Sequence, residues 1–561
     1  MKLKVYSKAL SLIGLLSLLA VASCKDYLVE ENLGGRTAET YYGTAQGFDD
    51  LVKSNYSPLR PLFALPSLYF LGTDIFTTTE VGGQNGFNGY DNNLNASNGD
   101  VDMYWKQLYY SINLTNTTLL WSTKVTGVSE ATLATRVAEA KTLRAYYYFL
   151  LVETFGDVPL VLEPASAPTF GFTRAPEQEV YSQIIKDLSE AVGALPATTP
   201  NFGRVTKGMA QHLLAKVYLT RGYKSYGAGN ADFTQAAQLA EAVINSGTYT
   251  LLTDFARLFD PSNAGFQVNS EVIFSVQYNP NVESNRYAFI TNPGALINGN
   301  GIHNLFNMEF QTYPAIGRSA YYGKSLLFIA PTSYLYTLYD KTRDGRYQGS
   351  FATAILAQVA AGGFAVGDTV IYFPDVPWSA ARKATKKYFV YNFDEYENRT
   401  SFSPRSLPYA KKFREVNVPY SDNNQGIRDT YVFRLAETYL IASEAYLKLG
   451  DQAKATQYFN VIRRRAGKAG TNPATGRTYK DELAVTSVTI DGILEERARE
   501  LFGEELRWFE LKRTGKLLER AKLYNKELIR ANAIQPYHVL RPVPQTQIDL
   551  NRAEFPQNPG Y

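Results

Sequence analysis

The sequence predicts a mainly α protein, in which about four helix pairs stack into a scaffold that carries an irregular, loop-rich lobe with a few short strands. Three observations predict it. Apolar residues recur at spacings of three and four across 431–466, and again across 208–244. The stretch 255–430 between them is rich in Gly, Asn and Pro and has no sustained helical period.

From Tyr431 the chain reads YVFRLAETYLIASEAYLKLGDQAKATQYFNVIRRRAG, with Leu435, Tyr439, Ala442, Ala445, Tyr446 and Leu449 on one face. Gly450-Asp451 breaks this helix, and a second runs to Ala466 before Gly467. Tyr446, Gly450, Ala455 and Phe459 stand at the offsets of a tetratricopeptide repeat. Small residues at 442 and 455 allow close approach, and the two rings fill the gap. HLLAKVYLTRG repeats the pattern with Tyr218 and Gly222, followed by a helix from Phe233. Further pairs are expected at 129–154 with 178–194 and at 491–502 with 504–513. Glu271–Gln277 and Thr369–Phe373 are candidate strands in the lobe.

The first residues are of a different kind. Lys2, Lys4 and Lys8 precede an apolar run from Ala9 to Ala22, which at about 14 residues is a signal-peptide core and too short to span a bilayer. It ends in Val21-Ala22-Ser23-Cys24, which resembles a bacterial lipobox with Cys24 as the acylated residue. Lys25-Asp26 with Glu30 and Glu31 resembles the acidic export tag of surface lipoproteins. The expected organisation is a leader over 1–23 and a lipidated tether over 24–36. An N-terminal region with two helix pairs and a ligand loop follows over 37–254, then the lobe over 255–430 and a C-terminal region with two helix pairs over 431–561.

Composition narrows the chemistry. Cys24 is the single Cys of 561 residues, which excludes an intrachain disulfide and a Cys-cluster zinc site. Only His212, His303 and His538 are available for metal or nucleophilic catalysis. Lys plus Arg is 57 against 53 for Asp plus Glu, a balance that argues against nucleic acid as the main partner. Gly323-Lys324-Ser325 lacks the correctly placed upstream Gly of a phosphate loop, and bulky residues fill the gap. Asp91-Asn92-Asn93-Leu94-Asn95 starts like a calcium loop, but Ala96 replaces the required Gly and Asp102 the bidentate Glu, so a plain polar loop is expected. Arg463-Arg464-Arg465 reads as a helix C-terminus whose cations meet the dipole on an exposed face. Glu496-Arg497 and Arg507-Trp508 read as an ion-paired, packed helical hairpin.

Several motifs together resemble the SusD/RagB family of outer-membrane nutrient-binding lipoproteins. They are Glu139-Ala140-Lys141-Thr142-Leu143-Arg144-Ala145 with Phe155-Gly156-Asp157-Val158-Pro159-Leu160, Gly203-Arg204-Val205-Thr206, and Asp344-Gly345-Arg346. The C-terminal part adds Ile493-Leu494-Glu495-Glu496-Arg497, Arg507-Trp508-Phe509-Glu510-Leu511 and the ending Gln557-Asn558-Pro559-Gly560-Tyr561. Glu504-Glu505-Leu506 and Glu510 depart from the family pattern in structural helix. The resemblance implies a tetratricopeptide scaffold, display at the cell outer membrane through the lipid anchor, and capture of an oligosaccharide. It also implies delivery to a TonB-dependent transporter of the SusC type; the sequence itself offers no cofactor, metal or catalytic motif. The rival readings are a tetratricopeptide protein–protein adaptor and a glycoside hydrolase, since two carboxylates at a set separation leave no sequence motif.

A sugar ring needs an aromatic platform and short polar side chains on constrained loops. Trp105, Trp121 and Trp508 lie in helical patterns and read as core, whereas Trp378 sits between Pro-broken turns in FPDVPWSAARK and is the expected platform. The Gly- and Asn-rich loop from Gly72 to Asp100 supplies Phe76, Asn85, Phe87, Tyr90 and Asn92 as further candidates. The family resemblance adds Asp74 at the start of that loop, and Asn285, Arg286 and Tyr287 by rough alignment.

Overall fold

The computed structural model describes residues 37–561, save 66, 79–85, 264, 266, 307–312, 318–321, 323–328, 393–394, 396–406, 416–425 and 505. The leader, Cys24, the tether, Asn85 and Gly323-Lys324-Ser325 lie outside the described residues. Among the described residues, no helix is long and apolar enough to cross a membrane.

The scaffold begins with α1 (Ala45–Ser54), α2 (Gly99–Trp121), α3 (Glu130–Phe155) and α4 (Glu177–Ala194). It continues with α5 (Lys207–Arg221), α6 (Asn230–Ile244), α7 (Leu435–Lys448) and α8 (Gln452–Ala466). From α2 to α8 each helix packs on the next. Local chemistry sets the starts: Ser129, Thr206 and Asp451 side chains accept from backbone N–H groups of the first turns of α3, α5 and α8. Gly156, at φ +73°, stops α3.

The helix pairs separated in sequence by the lobe are adjacent in space. α6 lies directly against α7 through a layer of Ala236, Ala237, Ala240, Ala442 and Ala445, with Phe233 and Tyr446 filling the space between backbones. A repeat that cannot bury its own face thus finds its partner across the insertion. The helices described after them include α9 (Ile490–Leu501), which packs on α7, then α10 (Arg507–Arg513) and α11 (Gln545–Leu550).

The strands are short. β1 (Phe76–Thr77), β2 (Val272–Val276), β3 (Arg286–Phe289) and β4 (Asn292–Asn298) are followed by β5 (Ala330–Pro331), β6 (Ala354–Leu356), β7 (Thr369–Tyr372), β8 (Phe389–Val390) and β9 (Thr430–Arg434). β2 pairs antiparallel with β9, Val276 opposite Thr430, so the lobe leaves and rejoins the scaffold on one ladder. β3 and β4 form a hairpin, and β6, β7 and β8 form a three-stranded sheet.

An ion-pair network crosses the interior. Arg434 is fully buried and holds Glu271 at 2.5 Å, Glu504 at 2.5 Å and Glu500 at 3.1 Å. Arg346 holds Asp344, Glu496 and Glu500 at 2.7, 2.7 and 3.0 Å. Buried charges of this kind survive only when paired and hydrogen-bonded. The Arg463–Arg465 run is corrected accordingly. Arg465 pairs with Glu271 and Glu500, and Arg463 with Glu496, so only Arg464 keeps an exposed, solvated position. The expected ion-paired hairpin is present, with Arg497 on Glu437 and Glu510, and Trp508 fully buried.

Candidate functional site

Along α2, Lys106, Tyr109, Tyr110 and Asn113 stand at spacings of three and four and form one stripe. Asn98 fixes the start of the helix, its side-chain oxygen accepting from Asp100 and Val101 N–H. Val101, Leu108 and Ile112 are buried and lock the rotation that turns this stripe outward.

Two segments face it. The loop after α3 is tied down by Tyr109 Oη donating to Pro159 O at 2.9 Å and by Ala165 N donating to Asn113 Oδ1 at 2.8 Å. It presents Phe170 and Phe172. Beside α11, the Asn551 amide accepts from Phe172 N at 2.9 Å and donates to Phe172 O at 2.6 Å, which clamps that loop. The Arg552 guanidinium lies 5.2 Å from the Phe170 ring centre. Ile290, at the tip of the β3–β4 hairpin, closes the far side.

The result is an open cleft of about 410 Å³ where the lobe meets the scaffold. Trp105 forms its floor, edge-on to Phe155 at 4.8 Å. Tyr110, Phe170 and Phe172 are 42, 41 and 38% exposed. Exposed large apolar side chains gathered in one concavity mark a binding surface. Aromatic faces alternate with the polar ends of Thr169, Gln547 and Asn551, a lining that matches the apolar face and hydroxyl rim of a sugar. Among the described residues that line the cleft there is no Asp or Glu.

None of the described residues expected from sequence lines this cleft. Asp74 is fully buried; its carboxylate accepts from Arg507 at 2.9 and 2.7 Å and from Arg520 at 2.9 Å. Burial pushes this carboxyl up, and the two guanidiniums more than reverse it, leaving it below its ordinary value. The expectation that Asp74 meets ligand is therefore corrected to an interior ion pair. Phe76 and Phe87 are fully buried, Phe76 among Phe70, Phe306 and Phe502 and Phe87 beneath Arg541. Tyr90, 2% exposed, donates its hydroxyl to Gly72 O. Asn285 is also fully buried, and its amide staples Asn279 N and O. These four are corrected to packing residues: the Gly-rich loop folds Phe76, Phe87 and Tyr90 inward because water does not tolerate their rings, and Asn285 is held by its backbone contacts.

Asn92 is exposed in a polar loop of Asx turns, Arg286 is exposed on β3, and Tyr287 is nearly buried beside it. Trp378 is half-buried on the lobe, its backbone held by both ends of the Asn392 amide. Tyr372 lies 5.3 Å away, and the Arg382 guanidinium covers the ring at 3.8 Å. The structure does not bring Asp74, Phe76, Phe87 and Tyr90 into the cleft. Of the 285–287 group it brings only the hairpin that carries it.

Sequence reasoning missed the cleft because Trp105, Tyr109 and Ile112 satisfy a core pattern. The legible signal was the adjacent stripe, where Lys106 and Asn113 share a face with two tyrosines. A second signal was the Phe-Gly-Phe of 170–172 between prolines, the same context that singled out Trp378.

An open, aromatic-lined cleft at the junction of stacked helix pairs with a loop-rich lobe has the concave, largely apolar form of a small-ligand site. The profile of the SusD family matches residues 270–561, and a second profile, described as "Starch-binding associating with outer membrane", matches 72–219. The chain belongs to the SusD family. It is 26% identical to SusD-like protein P2 of Formosa agariphila, over 97% of this chain and 98% of that one. It is 24% identical to the starch-binding protein SusD of Bacteroides thetaiotaomicron, over 78% and 74% of the two chains. Among solved structures, a laminarin binding SusD-like protein superposes with a TM-score of 0.68 at 24% identity, covering 93% of this chain and all of the other. A SusD homolog from Bacteroides thetaiotaomicron gives 0.72 at 21%, covering 94% and 99%. These superpositions establish the tetratricopeptide-like fold.

Proposed function

We propose that the protein is a lipoprotein anchored at the outer membrane through Cys24, which binds an oligosaccharide on the cell surface and passes it to a TonB-dependent transporter of the SusC type. The observation that carries the binding half is the stripe of Tyr109, Tyr110 and Asn113 facing Phe170 and Phe172 across a cleft of about 410 Å³. That volume accommodates a short run of stacked sugar rings. Family membership supports it, as do relatives whose names state starch and laminarin binding. The lipobox and leader support the anchored location, and transporter delivery rests on the family resemblance.

The ligand leaves unchanged. A glycosidase places two carboxylates about the scissile bond, and none of the described residues lining this cleft is an Asp or Glu. The buried carboxylates Glu496, Glu500 and Glu510 are consumed in pairs with Arg346, Arg434 and Arg497. Trp378 and its Arg382 cover form a second, smaller platform on the lobe. Titration calorimetry of the full chain against a neutral oligosaccharide panel, laminarihexaose included, tests the reading. Saturable binding without product release supports it, and release of shorter sugars overturns it.

A further inference from the structure

A second cleft, of about 260 Å³, lies between the segment around Tyr56 to Arg60, the loop at Phe202 to Arg204, and β2. Its chemistry differs from that of the aromatic cleft. Three cationic side chains line it: Lys53, Arg60 and Arg204. Two are already matched. Lys53 pairs with Asp49 at 2.9 Å and Asp50 at 3.2 Å, and Arg204 with Asp49 at 2.8 Å and Glu139 at 3.1 Å.

Arg60 is not matched in this way. Its Nε and Nη2 both donate to Gln277 O, at 3.1 and 2.9 Å, and Nη1 donates to Ser284 O at 3.0 Å. These carbonyls fix the plane of the guanidinium without neutralising it, and no described carboxylate forms an ion pair with it. Burial pulls its pKa down from the ordinary value, against the opposing fields of Tyr278, Tyr287 and Asp429, and the Tyr278 ring centre lies 5.2 Å from its guanidinium carbon. The carboxylate whose field reaches it is Asp429, which burial pushes up to about 7, so it is only partly ionised near neutrality. A preoriented guanidinium retains N–H donors for a two-oxygen acceptor. Beside it stand the half-buried Phe202 ring and the Ser57 hydroxyl, an apolar face and a polar edge.

We propose that this cleft binds the carboxylate of an acidic sugar, with Arg60 as the recognition group, Lys53 as the outer electrostatic contact and Phe202 as the wall against the ring. The site is independent of the aromatic cleft, and either can fail without the other.

The test is titration of the full chain, by calorimetry or ligand-observed NMR, with D-glucuronate, D-glucose and acetate. Glucuronate is expected to bind saturably and glucose not at all. Affinity should fall about tenfold or more in Arg60→Gln and weaken in 0.5 M salt, as exposed charge contacts do, at a Debye length of about 4 Å. Arg60 also ties two backbone carbonyls, and Arg60→Gln is expected to lose stability for that reason alone; Lys53→Gln, at an exposed position, serves as the second variant. It should keep the wild-type melting temperature and lose affinity about two- to fivefold. Equal binding of glucuronate and glucose, or unchanged affinity in both variants, overturns the proposal. Acetate binding as tightly as glucuronate overturns the sugar assignment. Loss of glucuronate binding in Tyr110→Ala places the acid in the aromatic cleft and also overturns it.

Discussion

Asp74 and Arg507 stand 433 positions apart and meet in the interior as a two-point ion pair at 2.9 and 2.7 Å, both side chains fully buried. The pair ties the N-terminal loop region to α10. Removing one partner leaves an uncompensated buried charge, so Asp74→Asn should lower the unfolding free energy by about 3–5 kcal/mol, read by chemical denaturation. Glycan affinity of the folded fraction should not change. Wild-type stability with lost affinity would return Asp74 to the ligand.

The interior network also sets the acid limit. Burial raises the carboxyls of Glu500 and Glu153, but Arg465, Arg434 and Arg346 around the first and Lys224 and Lys512 around the second bring both down to about 2 from 4.5. A carboxylate with a depressed folded-state pKa contributes stability in full above its unfolded value and loses it as pH falls through the folded one. These two carboxylates should therefore contribute unchanged from pH 7 to about 5 and make the unfolding free energy drop steeply between 4.5 and 2. That drop lies below the slope that the buried His303 and His538, held down to about 4, add from about pH 6.5. Denaturation curves across that range check it, and a transition already complete at pH 5 would contradict it.

Three of the four Trp are enclosed, Trp105, Trp121 and Trp508 being 3, 8 and 0% exposed. Trp378 is half-buried, with Arg382 as a displaceable cover. Acrylamide should therefore quench one main component of the fluorescence, and Trp378→Ala should remove it. Glycan that stacks on this ring should protect it from quencher; protection retained in Trp378→Ala would place the contact at Trp105.

Gly222 tests the repeat itself. A methyl group there would meet the Phe233 ring at 2.6 Å, so Gly222→Ala should cost about 1–3 kcal/mol by overpacking. Gly450 has open space around it but φ at +82°, so Gly450→Ala should cost about 1–2 kcal/mol through backbone conformation alone. Thermal unfolding of the two variants checks both, and a stabilised Gly222→Ala would contradict the close approach of the helices.

The scaffold was legible because its physics is local and periodic. Tyr446, Gly450, Ala455 and Phe459 announce one helix pair by spacing, and Tyr218 with Gly222 announces another. The contact between α6 and α7 was not legible, since no periodic signal records which faces meet across the lobe. The site was read only in part. Phe76, Phe87 and Tyr90 had a loop-like sequence context but fold inward beside Phe306, Arg541 and His538. Tyr110 had a helical context but points outward. Burial there depends on which neighbour arrives, and neighbours come from distant segments such as 545–555.

The most direct measurement is calorimetric titration of neutral oligosaccharides into wild-type protein and into Tyr110→Ala and Phe170→Ala. By analogy with stacking of bases on aromatic side chains, each truncation should weaken binding by about 1–3 kcal/mol, roughly five- to 150-fold, with melting temperature unchanged at these exposed positions. Wild-type affinity in both folded variants, or hydrolysis of the ligand in the cell, would contradict the account.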